Sequence, residues 1–342
     1  MLGFGPQSLL GSRRARVVAQ HLERGTWMRH GLARACSALW AATANPVRAV
    51  DLPRTARVIG IGGATLGGAG KTVVVFELAR ALAAAGESVA VVASAYPARD
   101  RTPRPVRRGD SVESVGDEAL WLCRALDRDG VPVFLGTPRS AALGLAARAA
   151  PLVIVDGLLQ SRPRRLAWSL LALDAAAPWG AARCPPAGDL RARRDRLIDA
   201  CDAVLLATDA ALPRPATSVQ FGGKTTISWS SELNGAWTPE GRFVPTAELR
   251  RLRLGLLLAI ARPERVAAAL AARGIALCAT ELHLDHAVPT AWPNPAVEAW
   301  LTTAKCATKV RQKAGAPPVW TLDHRARLPP EFVEHAARFA RG

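Results

Sequence analysis

The sequence predicts an α/β fold, a parallel sheet with helices on both faces, and three observations carry that prediction. Short apolar runs recur at 57–61, 88–93, 131–135, 152–155 and 203–207 with almost no polar residue inside them. A strand buried on both faces reads as a continuous apolar run, whereas one that faces water alternates. Alanine-rich helical stretches separate the runs, and strands alternating with helices build parallel sheets. Finally, the first run passes directly into a glycine-rich turn and then into a helical stretch over 73–84.

Along the chain, residues 1–50 form an N-terminal segment with seven arginines (13, 14, 16, 24, 29, 34 and 48) against one acid, Glu23. Within it, 24–44 interleaves Trp27, Met28, Leu32, Leu39 and Trp40 with Arg24, Arg29, His30 and Arg34. That pattern predicts a basic amphipathic helix, suited either to a membrane interface or to packing on its own domain. Residues 51–214 form the domain built on the glycine turn. A smaller α/β domain is expected over 215–328. Its entry, 225–244, alternates and contains Asn234-Gly235 and Glu240-Gly241, both hairpin signals. A strand over 252–260, a helix over 263–273 and a strand over 276–284 follow, and 329–342 closes the chain as a helix.

Composition narrows the partners. Of 342 residues, 49% are apolar and 21% charged, which places the chain among folded proteins. The net charge of +17 suits nucleic acid, an anionic membrane surface or a phosphorylated substrate. There are no Arg-Gly repeats, zinc-finger spacings or obvious recognition helix, so no nucleic-acid partner is expected. The six cysteines are scattered and never form a CxxC pair, which argues against a disulfide framework or a zinc site and suggests a reducing compartment. No secretory signal is expected at the N-terminus, and no run reaches the length of a clean transmembrane helix.

The chemistry starts at Gly67-Gly68-Ala69-Gly70-Lys71-Thr72. A strand, then Gly-x-Gly-Lys-Thr, then a helix is the context of a phosphate-binding P-loop. Backbone amides curl around phosphate oxygens and the helix N-terminus adds its dipole. Lys71 would reach the terminal phosphates of ATP, and Thr72 would ligate Mg²⁺. The usual first glycine of such loops is here Thr65. Asp156, at the end of the 152–155 run, stands where P-loop proteins carry a metal-side carboxylate. A helix-capping role is the alternative for such a residue.

Thr65-Leu66-Gly67-Gly68-Ala69-Gly70-Lys71-Thr72 resembles the P-loop of the tetraacyldisaccharide 4′-kinase family, in which threonine characteristically replaces the first glycine. Further segments resemble that family in order. Gly116-Asp117-Glu118 is similar to its Gly-Asp-Glu motif, and Asp156-Gly157-Leu158 to part of its Asp-Asp-Gly-aliphatic-Gln-His motif. Pro186-Ala187-Gly188-Asp189-Leu190-Arg191 is similar to its Pro-Ala-Gly-Pro-Leu-Arg-Glu segment. Ile260-Ala261-Arg262-Pro263-Glu264-Arg265 resembles Ile-Ala-x-Pro-x-Arg, Asp285-His286 its Asp-His motif, and 303–309 a weakened Thr-Glu-Lys-Asp-Ala-x-Lys. The resemblance implies ATP and Mg²⁺ as cofactors and, as acceptor, the 4′-hydroxyl of an acylated glucosamine disaccharide. It also implies residues 65–72 as the nucleotide site, Asp117 and His286 as a base dyad, and Thr72 with Asp156 at the metal. A glycolipid substrate and an anionic membrane surface become the expected partners, at the cytoplasmic face of a bacterial inner membrane.

The departures fall on acidic and polar positions. Val155 stands for the first of two aspartates, Leu159-Gln160 for Gln-His, and Ala192 for a glutamate. Ala304 and Cys306 replace a glutamate and an aspartate, and the family's Ser-Arg-Gly-Tyr-Gly loop is reduced to 94–98. Acids lost from around a metal weaken its binding, so two readings follow. One is a divergent working kinase; the other is a degenerate paralogue that binds nucleotide or glycolipid in a regulatory or scaffolding role.

Overall fold

The computed structural model describes residues 18, 21–22, 24–43, 50–157, 161–162, 166–208 and 221–342. Leu158, Leu159, Gln160, Glu23 and arginines 13, 14, 16 and 48 lie outside the described residues.

Helix α1 (Gly31–Thr43) precedes β1 (Arg57–Gly63), which runs through the glycine turn into α2 (Lys71–Ala84). Then come β2 (Val89–Val92), α3 (Asp117–Leu126), β3 (Val133–Leu135), α4 (Arg139–Ala149), β4 (Leu152–Asp156), β5 (Ala167–Asp174) and β6 (Ala203–Thr208). The C-terminal part holds β7 (Thr225–Trp237), β8 (Phe243–Pro245), β9 (Leu254–Leu258), α5 (Pro263–Ala271), β10 (Leu277–Leu282) and β11 (Ala299–Thr302). It ends with α6 (Ala304–Ala307), β12 (Val319–Arg327) and α7 (Pro330–Arg341).

Among the described residues one thirteen-stranded sheet runs through the molecule, in the order β10-β9-β11-β12-β7-β6-β5-β1-β4-β2-β3, ending on a two-residue strand at Arg104–Pro105. β8 pairs only with β7. Pairing is parallel except at β7–β12, β7–β8 and that last strand. β7 is therefore the bridge: its first half pairs parallel with β6 and its second half antiparallel with β8 and β12.

Strand alternation sorts the core. Ile59 and Ile61 of β1 pack with α2, α3 and Phe332 of α7 on one face of the sheet. Val58 packs with Ala142, Leu143 and Ala146 of α4 on the other. Both faces are closed by helices, which is why these strands carry no polar alternation.

Two expectations are corrected. The single basic helix over 24–44 is divided into a 3₁₀ turn, Thr26–Arg29, and α1. Gly25 at φ 59° and His30 in extended backbone interrupt it, and a helix cannot run through an extended residue. Asn234-Gly235 is also no turn. It lies inside β7, where the register against β12 shifts between Leu233 and Gly235. A Cβ at Gly235 would lie 2.2 Å from the Val244 carbonyl, so this glycine serves a bulge and a close backbone approach. The reversal comes at Glu240-Gly241, with Gly241 at φ 83° and the Thr238 amide donating to the Arg242 carbonyl at 2.9 Å.

Candidate active site

The glycine turn places its lysine at the first position of α2. Gly68 and Gly70 take φ 78° and 72°, left-handed values that a side chain strains. The first turn of α2 carries no acid, so its free amides and dipole are left to an anion. Thr65 acts locally, its hydroxyl donating to the Gly67 carbonyl at 2.8 Å and closing the entry to the loop. Its backbone bridges to Leu190, and Leu66 N–H donates to the Asp189 carbonyl at 3.0 Å. Arg191 adds Nε to the Thr65 carbonyl at 2.8 Å, so the 186–191 segment braces the loop from outside.

Asp156 closes β4 beside this helix start. Thr72 Oγ1 donates to its Oδ2 at 2.8 Å, and Arg139 Nη1 donates to its backbone carbonyl at 2.7 Å. Burial pushes the Asp156 carboxyl up, Glu118's charge adds to that, and Lys71 and Thr72 oppose it. Burial conversely pulls the Lys71 ammonium down, with Asp156 opposing. A buried cation and a buried acid that are both short of counter-charge are arranged for a charged ligand. Ala69, also part of the predicted nucleotide loop, is buried in the core cluster that holds Ile59 and Ile61.

A second cluster assembles from both halves of the chain. Asp117 is the first residue of α3, after Gly116 at φ 83°, and is 1% exposed. His286 Nδ1 donates to its Oδ1 at 2.8 Å, Lys309 Nζ is paired with its Oδ2, and the Glu118 amide donates to Oδ1 at 3.0 Å. Burial works upward on this carboxyl. The His286 hydrogen bond and the charges of Lys305, His286 and Lys309 outweigh it and hold the group well below the usual carboxylate range. Lys305 Nζ lies 2.9 Å from Asp285, 3.2 Å from Glu118 and 3.8 Å from Asp117. Burial pulls that ammonium down, but the three carboxylates win and raise it. His286 itself takes φ 64°, and the Tyr96 ring meets it edge-on at 5.2 Å.

The sequence-predicted residues thus fall into two adjacent groups, joined by Asp117-Glu118. Lys71, Thr72 and Asp156 form one; Asp117 and His286 form the other. Lys305 and Lys309 had no role assigned from sequence, although their i,i+4 spacing in the 303–309 motif was a usable signal. Arg139 had no motif to mark it.

The departures from the family pattern take up packing roles. Val155 points away from Asp156, into the apolar cluster against α4, and Ala192 sits wholly buried beside Leu171 and Leu173. Cys306 is buried, and its Sγ accepts the Ala259 amide at 3.3 Å. Ala304 begins the short α6. The double change Val155→Asp, Ala192→Glu is therefore expected to destabilise the fold by at least about 3 kcal/mol, because each carboxylate enters an apolar cluster. Chemical denaturation checks this; unchanged stability with higher turnover would show that the acids had a place at the metal.

Strand, glycine loop and helix, with this lysine and threonine at the helix start, place the chain in the P-loop class of nucleotide-binding proteins. Its sequence matches the tetraacyldisaccharide-1-P 4′-kinase family, LpxK, over residues 32–340. It is 31% identical over 293 residues to the tetraacyldisaccharide 4′-kinase of Chromobacterium violaceum, covering 81% of this chain and 82% of that one. To the enzyme of the same name from Acidithiobacillus ferrooxidans it is 32% identical over 297 residues, 82% of each chain. The fold is similar to that of LpxK from Aquifex aeolicus, crystallised in complex with ATP, with a TM-score of 0.68 over 93% of this chain and 98% of that chain at 22% identity. The chain belongs to the tetraacyldisaccharide 4′-kinase family, the kinases of lipid A biosynthesis.

Proposed function

We propose that this chain transfers the γ-phosphoryl group of ATP to the 4′-hydroxyl of a tetraacyl glucosamine disaccharide 1-phosphate. One observation carries the reading: the phosphate-loop group and the Asp117–His286 group are electrostatic neighbours, because Lys305, ion-paired to Glu118 at 3.2 Å and to Asp285 at 2.9 Å, acts with Glu118 on Lys71, and Glu118 acts on Asp156.

Residues 65–72 hold the triphosphate, with Lys71 on its terminal oxygens. Asp117 is saturated by three donors and depressed, so it serves to orient His286. Nε2 of His286 takes the proton from the acceptor hydroxyl as its oxygen bonds to phosphorus and the bond to the β-phosphate oxygen breaks. Lys305, ion-paired to Glu118 and Asp285, is a further cation on the acceptor side. Thr72 Oγ1 and Asp156 Oδ2, two hard oxygen donors 2.8 Å apart, fit Mg²⁺. Thr72 and Asp156 would hold that ion, which would supply charge neutralisation for the transferring phosphoryl group. In this reading 51–214 carries the nucleotide, while 215–328 supplies the cations and His286 of the acceptor side.

Full-length protein incubated with Mg²⁺, radiolabelled ATP and the disaccharide 1-phosphate is expected to label the lipid. ATP binding without lipid labelling would favour the degenerate-paralogue reading instead.

The acceptor is a glycolipid, and α1 suits an anionic leaflet at the cytoplasmic face of the inner membrane. Ser37 ties its inner side to the Cys184 carbonyl at 2.7 Å, while Leu32 and Leu39, 79% and 67% exposed, lie on the opposite side. Among the described residues no helix is long and apolar enough to cross a membrane, so the contact proposed is peripheral or monotopic. Leu32→Glu with Leu39→Glu is expected to reduce co-sedimentation with anionic phospholipid vesicles about tenfold or more, from the lost apolar burial. Unchanged sedimentation would place the contact elsewhere.

A further inference from the structure

The phosphate loop is held from the C-terminal part of the chain as well as by its own strand and helix. Arg265, in α5, donates from Nη1 to the Gly68 carbonyl at 2.8 Å and lies 3.3 Å from Asp174 Oδ2. Arg262, just before α5, pairs with Asp174 at 3.1 Å and Asp189 at 3.3 Å. These carboxylates are 6% and 2% exposed and the Arg262 side chain 11%, so water screens the network little. Asp189 stands where the related segment has proline, and its Oδ1 also accepts the Ala181 amide at 2.9 Å.

The contact is close. A Cβ at Gly68 would lie 2.5 Å from Arg262 Cδ, and one at Gly67 2.7 Å from the Ala261 Cβ. These two glycines admit the 261–265 segment onto the outer side of the loop. Arg265 then acts on one peptide group. The Gly68–Ala69 bond is trans, so its carbonyl and its N–H point in opposite directions. Fixing the carbonyl outward on a guanidinium turns the Ala69 N–H inward, toward the space where a P-loop receives phosphate.

We infer that Arg265, backed by Asp174, is a positioning residue for nucleotide, setting the Gly68–Ala69 peptide so that its amide faces the phosphates. The inference rests on the nucleotide reading of this loop. It adds that the segment carrying the acceptor-side groups also determines how well the loop binds ATP.

The test is calorimetric ATP binding to full-length wild type, Arg265→Gln, Arg265→Lys and Asp174→Asn, with the KM for the lipid acceptor measured alongside. Arg265→Gln is expected to weaken ATP binding about tenfold, the worth of one charge-assisted hydrogen bond. Arg265→Lys, which keeps a cationic donor, is expected to recover most of that loss. Asp174→Asn leaves Arg265 in place without its counter-charge, and a loss of about threefold is expected because water screens this pair little; it provides the reading if Arg265→Gln does not fold. Acceptor KM should stay within about twofold throughout. Wild type that binds no ATP would overturn the nucleotide reading itself. Wild type that binds while Arg265→Gln and Asp174→Asn bind equally well, or an acceptor KM that rises as much as the ATP constant, would overturn this inference alone.

Discussion

Lys71→Met is expected to lower kcat for phosphoryl transfer by about 10²–10³-fold, the cost of losing one preorganised charge at a developing transition state. The structure gives this prediction a second, independent readout. Lys71 is held at the start of α2, and burial pulls its ammonium below the ordinary lysine value, with Asp156 only partly compensating. A buried cation short of counter-charge costs stability, and methionine fills similar space without a charge. The unliganded variant is therefore expected to melt close to wild type while losing activity, because the Asp156 carboxyl, already raised by burial, can take a proton once its cation is gone. Asp156 in turn loses its compensating cation, so its carboxyl is expected to move further up, and in the proposed metal role it would hold Mg²⁺ less well. Activity assays and thermal melts on the same preparations check both halves. A large fall in melting temperature would make Lys71 a structural residue, and retained turnover would remove the loop from the chemistry.

Much of the nucleotide half was legible in the sequence because its elements are local. β1, the glycine turn and α2 are contiguous, and apolar continuity marks β1, β2, β3 and β4 as doubly covered strands. Asp156 follows from the strand-end position. β5 went unread although its 170–173 core is continuously apolar, because arginines 162, 164 and 165 and then Ser169 break up the sequence that leads into it. β12 is harder: its Val319–Arg327 sequence mixes apolar and charged residues, and it becomes a strand through antiparallel pairing with β7. Tertiary pairing of that kind leaves little trace in propensity. Asn234-Gly235 carries a hairpin signature, but the residues that decide its role, Val244 and Pro245, lie across the sheet.

The Asp117–His286 group was legible only in part for the same reason. Asp117 and His286 were placed together by family resemblance, since 169 residues separate them. Their geometry depends on Lys309, which is 192 residues from Asp117 and whose charge complementarity with it no local pattern records. The apolar replacements show the converse. At Val155 and Ala192 the motif comparison registers missing acids, whereas alternation along β4 and the packing of 192 against Leu171 and Leu173 turn both side chains into core. A motif gives the residue type expected at a position; the direction of the side chain comes from the strand.

Asp117→Asn is expected to destabilise the protein by about 3–5 kcal/mol and to abolish measurable turnover, because it strands a buried lysine. Lys309 and Asp117 are each 1% exposed in their side chains, and Asp117 is the one partner that the described residues show for the Lys309 ammonium. Turnover is expected to fall for a different reason: in the proposed mechanism a neutral amide no longer favours the His286 orientation that places Nε2 for the proton. Stability and catalysis can be separated with Asp117→Asn combined with Lys309→Met. Removing both charges leaves no stranded ion, so most of the lost stability should return, whereas turnover should not. The pH dependence supplies a further check. Asp117's carboxyl is depressed in the folded chain, so its contribution is present above the ordinary carboxylate value of about pH 4 and is lost as pH falls through the lower folded value. Wild type should therefore lose this stability only on acidification below the usual carboxylate range, and the double variant should lack that part of the profile. Urea unfolding across acidic pH, run beside the lipid-labelling assay, gives both readouts. If stability and turnover returned together, His286 would not need Asp117 to take the proton, and the lysine would be the residue that shapes the site.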